Sequence, residues 1–231
     1  MADMTTPMKL MKNQQSGFTL VEIAIVLVII GLLLGGILKG QELINSAKVK
    51  NLAQDFKTVP LYIYGYQDRF KALPGDDKNA VTNITGATLA GGGNTGNGVI
   101  DGDWQSETTT DESFLFWQHV RLGGFAPGAT TFGTPADLAA YLPKNVEGNR
   151  MGITGGANTP INTLRGTFVF CSSGLLGKYA KQLDATLDDG KTDSGSVMVR
   201  ANSAAPGGPS TAPLTNAQVD DALSYTVCMG F

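Results

Sequence analysis

Nucleophilic and metal chemistry draw mostly on histidine and cysteine, and this chain has one histidine, His119, and two cysteines, Cys171 and Cys228. Three such residues make neither a zinc cluster nor a His-paired nucleophile network, so most metal and triad hydrolases drop out. His119, with no second histidine, reads as a structural or surface residue. Carboxylates offer more. Residues 94–107 (NTGNGVIDGDWQSE) have the look of a calcium loop, but the EF-hand pattern fails, because Gly98 at its sixth position puts Trp104 twelfth and Gly102 there puts Thr108 twelfth. The stretch reads as a solvated turn whose Asp101, Asp103 and Glu107 are the oxygen donors open to a cation such as calcium, and no cofactor is expected. A second acidic patch, Asp184, Asp188, Asp189 and Asp193, gathers around the end of a predicted helix, where acids oppose the macrodipole. Asx-turns ending at Gly190 are the expected local compensation.

A carboxylate near the N-terminus is the most informative. Residues 18–38 (FTLVEIAIVLVIIGLLLGGIL) carry no charge except Glu22, and about 20 such residues cross a bilayer core. The run is too long and too apolar on every side for a soluble core helix, so it predicts a membrane-spanning one. A carboxylate inside it costs on the order of 3 kcal/mol on insertion scales and normally has a partner or a function. No Lys, Arg or His lies within a helical turn or two. Were the chain cut between Gly17 and Phe18, however, Glu22 could pair with the new Phe18 α-ammonium of a neighbouring chain, and the awkward charge would become an assembly contact. Lys9 and Lys12 upstream favour a cytoplasmic N-terminus, although Lys39, Lys48 and Lys50, offset by Glu42, reduce the contrast across the run. The Ala-x-Ala site of an ordinary secretory signal does not follow.

Gly17-Phe18-Thr19-Leu20-Val21-Glu22, behind a short basic leader and ahead of an apolar run, resembles the cleavage and methylation signature of type IV prepilins and of the pseudopilins of type II secretion. The resemblance is specific over residues 16–40 and fades beyond about residue 75. It implies that a prepilin peptidase and methyltransferase cuts after Gly17 and N-methylates Phe18, and that Glu22 holds the family's glutamate position, tied to methylation and subunit registration. It also points to Met8, which opens the more typical basic start Met8-Lys9-Leu10-Met11-Lys12, as an alternative to Met1. The implied life history begins in the bacterial inner membrane, as a single-pass protein with its N-terminus cytoplasmic. An inner-membrane assembly platform then builds it, with identical or related subunits, into a periplasmic or extracellular helical filament. The function expected is therefore a structural subunit, major or minor, of a type IV pilus-like filament, and not an enzyme. The alternatives are a type II secretion pseudopilin and, in another class, a membrane-anchored periplasmic binding protein or enzyme. One departure stands out: where many major pilins carry a proline in the membrane half, near Leu38 and Lys39, this chain has only Gly31, Gly35, Gly36 and Gly40 to soften the helix.

The elements that position these residues follow from pattern. Hydrophobic residues are 42% and charged ones 16%, with 17 Lys and Arg against 20 Asp and Glu for a net charge of −3. The apolar residues are therefore clustered, and no basic footprint for nucleic acid exists. Of 30 glycines only six fall in residues 1–70, which divides the chain into a compact first third and a Gly-rich remainder. After Gly40, Val49, Leu52, Phe56, Val59, Ile63, Tyr66 and Phe70 repeat at spacings of three and four, a helical stripe. Pro60 inside it predicts a kink, and Leu73-Pro74-Gly75-Asp76-Asp77 ends it. Residues 78–110 read as exposed loop, 112–122 as a short helix, and 135–142 as another turn or two. Strands are predicted at 165–171, 196–201 and 223–229, a helix at 175–187, and a loop at 202–216. The whole is α+β, pilin-like: a leader at 1–17, a membrane or filament-core helix at 18–40, its amphipathic continuation at 41–73, and a head at 74–231 with a small antiparallel sheet against the long helix. Cys171 and Cys228 fall in two predicted strands outside the cytoplasm, where one disulfide is the natural count. A late disulfide in the head also resembles that of many type IV pilins.

Overall fold

The computed structural model describes residues 17–92, 94–134, 137–202, 208 and 210–231. The leader before Gly17, with Met8, Lys9 and Lys12, lies outside the described residues. The chain divides into two compact units, one ending at Ile44 and the other Asn45–Phe231. Helix α1, Leu20–Phe70, contributes residues to both.

Among the described residues of the first unit, α1 is the one regular element. None of residues 17–39 is buried, and Leu20, Leu32 and Leu38 are 91%, 73% and 67% exposed. An 18-residue window of α1 qualifies by length and composition as a membrane span. Apolar surface on this scale demands lipid or protein around it, which suits a membrane-anchoring helix.

In the second unit α1 becomes amphipathic in the way its spacing predicts. Val49, Leu52, Phe56, Val59, Ile63 and Tyr66 are buried, and Ala53 joins them; Phe70 is half-buried. The helix is continuous through Pro60. It stops at Phe70 because Lys71 takes a left-handed conformation, φ 56°, with its N–H on the Gln67 carbonyl. That is three residues short of the boundary expected at residue 73.

The sheet is built from β1 (Met151–Gly155), β2 (Phe168–Leu176), β3 (Val197–Ala201) and β4 (Ser224–Gly230), in the order β1-β2-β4-β3 with every pair antiparallel. Period-2 alternation gives it two buried faces. Phe168, Phe170, Val197, Val199, Tyr225 and Val227 pack in one core with α1 and with α3 (Glu112–Leu122) and α5 (Gly177–Leu187). Val169, Cys171, Met198 and Cys228 face the other way and are covered by Trp104, Ile161 and Leu164. Two short helices, α2 (Ala80–Asn83) and α4 (Leu138–Tyr141), lie in the connections.

Four expectations need correction. Strand β1 was not expected at all. Strand β2 starts later and runs to Leu176, so the first two residues assigned to the helix at 175–187 belong to the strand. The helical turn expected over 135–142 is α4 alone, with Pro135 and Ala136 outside the described residues. Finally, residues 78–110 contain α2 and are not uniformly exposed: Ala80, Ile84, Ile100, Trp104 and Ser106 are buried. The loop is irregular because its glycines forbid regular structure, yet it supplies apolar residues to both cores.

Candidate functional site

The N-terminal site is local. Thr19 precedes the first helical residue, and its carbonyl accepts the N–H of Ile23, so it is the N-cap of α1. Glu22 is the third residue of the helix. The Thr19 N–H and hydroxyl both donate to Glu22 Oε2, each at 2.8 Å, and the Glu22 N–H donates to Thr19 Oγ1 at 3.3 Å. This is a reciprocal capping box, Thr-x-x-Glu, which satisfies two of the orphan donors at a helix start. The charge left without a partner by the sequence reading thus has one three residues away. A carboxylate in the first turn also faces the positive end of the helix dipole. The signal lies in residues 19–22, where Thr-x-x-Glu is the spacing of a capping box, a partner that carries no positive charge.

Phe18 is 82% exposed just outside the box, and Gly17 adjoins open space where its Cβ would be. The bond between them is therefore accessible. Residues 12–38 match the family model of the prokaryotic N-terminal methylation motif. This motif is the type IV pilin and pseudopilin signature, here carried at the start of a long apolar helix. No curated protein and no solved structure matches the chain. Gly17, Phe18 and Glu22 all fall within the matched residues 12–38, and Glu22 is hydrogen-bonded to Thr19, the residue after Phe18.

In the head, the disulfide between Cys171 and Cys228 is present. The two residues stand directly opposite each other on β2 and β4, Cα to Cα 4.1 Å, and both are fully buried.

His119 is structural. It is fully buried, its Nδ1 accepts the Gly75 N–H at 2.9 Å, and its Nε2 lies 2.8 Å from the Thr88 carbonyl. That partner set assigns a neutral ring with the proton on Nε2, and burial holds its pKa down. Gly75 has φ 88°, and a Cβ there would fall on the Glu112 carbonyl. Beside it two aspartates, read from sequence only as a helix stop, organise the loop that follows. Asp77 accepts the Tyr66 hydroxyl at 2.9 Å and the Asn79 N–H and Asn83 amide at 2.8 Å. Asp76 accepts the N–H groups of Gly96, Asn97 and Gly98. Glu112, 3% exposed, accepts the Asp101 N–H at 2.8 Å. Its pKa is pushed up to about 7, first by burial and then by the charges of Asp76 and Asp101 and a hydrogen bond with Asp76.

The three cation candidates are dispersed among other duties. Asp103 accepts the Gln105 N–H at 2.7 Å in an Asx-turn, Glu107 pairs with Arg150, and Asp101 accepts from the Asn97 amide at 3.2 Å. Among the described residues, the carboxylates that do converge are Asp184, Asp188 and Asp189, with one oxygen from each within 4.8 Å of the others. An Asx-turn is present there, but one residue beyond the expected end at Gly190: Asp189 Oδ1 accepts the Lys191 N–H at 2.9 Å.

Proposed function

We propose that this chain is a structural subunit of a type IV pilus-like filament, cut between Gly17 and Phe18 by a prepilin peptidase, N-methylated on Phe18 and assembled through α1. The observation that carries the reading is the coincidence of the methylation motif with a helix start whose apolar residues are uncovered. In the inner membrane, lipid covers that surface, and the capping box seats Glu22 near the interface, where its cost is smaller than at the bilayer centre. Extraction into a filament replaces lipid by the same helix of other subunits. N-methylation keeps the Phe18 amine charged, so Glu22 meets an ammonium of its neighbour in a medium where Coulomb attraction is strong. The disulfide-bearing head of Asn45–Phe231 favours a pilus subunit over a secretion pseudopilin.

Mass spectrometry of the mature protein tests the processing step, with N-methyl-Phe18 as the expected first residue. A mature N-terminus beyond Gly36 would remove the apolar run and end the prepilin reading. Immunoblotting of the sheared extracellular fraction tests the filament type. A pilus subunit is found there, whereas a subunit confined to the cell envelope is a pseudopilin.

A further inference from the structure

A cavity of about 470 Å³ in the head is lined by residues of α1 and α3, a size within the roughly 300–1,000 Å³ range of ligand sites. Val59 and Tyr62 of α1, Trp117 of α3 and Met151 of β1 give it apolar and aromatic walls. Three charged residues line it as well: Asp55 on α1, Arg121 on α3, and Lys144. Among the described residues none of the three forms an ion pair, with one another or elsewhere.

The two charges nearest the interior are the informative ones. Asp55 is half-buried, and burial alone pushes its carboxyl up to about 6, with no hydrogen bond or counter-charge to hold it down. Arg121 is 9% exposed. Its Nη1 donates to the Ala129 and Tyr141 carbonyls at 3.2 and 2.9 Å, its guanidinium lies 4.5 Å from the centre of the Tyr141 ring, and its Nε has no partner. Carbonyls and a ring orient a guanidinium without neutralising it, and a charge so buried is ordinarily paired. Tyr62 stands within reach of both charges, since its phenol, raised first by burial, is raised further by Asp55 and lowered by Arg121.

A lone cation in this cavity would face Arg121 and Lys144, and a lone anion would face Asp55. A zwitterion with an apolar body answers every wall. Its ammonium pairs with Asp55 among aromatic residues, which favour such groups; its carboxylate pairs with the guanidinium, the side chain best suited to one. Asp55 and Arg121 stand on different helices and do not reach each other, so the two charges of the ligand are separated as at the ends of a short peptide.

We propose that this cavity binds a short peptide with apolar side chains, its ammonium on Asp55 and its terminal carboxylate on Arg121, with Lys144 adding positive charge at the same end. The site lies wholly within the Asn45–Phe231 unit and uses no residue of the processing site. Binding by the unassembled subunit therefore succeeds or fails independently of the filament reading.

Calorimetry with L-leucyl-L-phenylalanine, titrated into the full-length protein in detergent and into detergent alone, tests the proposal. Saturable binding of one peptide per chain is expected. N-acetylation of the peptide removes its ammonium and should weaken binding by about tenfold or more, and C-terminal amidation, which removes the carboxylate, should do the same. Because Arg121 also holds the Ala129 and Tyr141 carbonyls, the amidated peptide tests that end without disturbing the fold. Asp55→Asn should bind the free peptide about tenfold or more weakly and no longer distinguish it from the N-acetylated one, while it still prefers the carboxylate to the amide. A merely structural Asp55 would instead change the affinity for all three peptides alike. Absence of saturable heat with the free peptide in wild type would overturn the proposal. So would equal affinity of wild type for the N-acetylated peptide, or an Asp55→Asn protein that still discriminates between the two.

Discussion

Glu112 shows at the scale of one residue how the head uses an ionisable group as a neutral one. Its folded pKa of about 7 lies above the ordinary 4.5, so the folded state binds a proton that the unfolded chain has already released. Below about pH 4.5 the group is neutral in both states and its contribution is intact. As pH rises toward 7 the unfolded state is increasingly favoured, and that contribution is lost. Glu112→Gln supplies the neutral form permanently, with an oxygen for the Asp101 N–H and an amide for Asp76. Thermal unfolding should show wild type and variant alike at pH 4 and the variant more stable at pH 8, by on the order of 3 kcal/mol at about 1.4 kcal/mol per pKa unit. A difference that does not change with pH would refute the assignment. None of this was legible beforehand, because Asp76 and Glu112 stand 36 positions apart and no local spacing relates them. His119 was legible as structural because a lone histidine has nothing to act with.

The disulfide belongs to the scale of elements, since it joins two neighbouring strands at directly opposed positions. Its sequence separation is 57, and closing a loop of that size stabilises the folded state by roughly 4 kcal/mol in the chain-entropy model. Non-reducing digestion should yield one peptide pair joining Cys171 to Cys228. Cys228→Ser should lower the head's denaturation midpoint by a few kcal/mol equivalent while circular dichroism retains the α1 signal. Two free thiols in protein from the envelope, or an unchanged midpoint, would count against it. Strands β2, β3 and β4 were readable from their β-branched and aromatic content. Strand β1, Met-Gly-Ile-Thr-Gly, was not: a Cβ on Gly152 would fall on the Trp104 carbonyl, and one on Gly155 would press on Val99. Those glycines mark close approach of the 98–106 loop, a reason that exists only once the chain has folded. The end of β2 was misread because it crosses a bulge between Ser172 and Leu175, and the short apolar run that follows fits strand or helix equally.

At the scale of the whole molecule the two units answer different demands. The head buries its own apolar residues, whereas the helix before Ile44 leaves its apolar residues for a membrane or another copy to cover, and that demand was readable directly from residues 18–38. The contact proposed to register one copy on the next was only half readable, because Glu22 would have two roles on the same oxygens: it caps α1 through Thr19, and in the proposed filament it would pair with a neighbour's Phe18 ammonium. The two roles separate by substitution. Glu22→Gln keeps a capping box, for which glutamine serves as well as glutamate, and removes the charge; Glu22→Ala removes both. If the ion pair registers the filament, both variants should insert in the membrane in normal amounts and be cleaved after Gly17, and both should be severely reduced in sheared filaments measured beside wild type. If Glu22 matters only for starting the helix, Ala loses about 1 kcal/mol of end stability and Gln behaves as wild type. Normal incorporation of Glu22→Gln would therefore refute the pairing and leave the capping box as the whole role of Glu22.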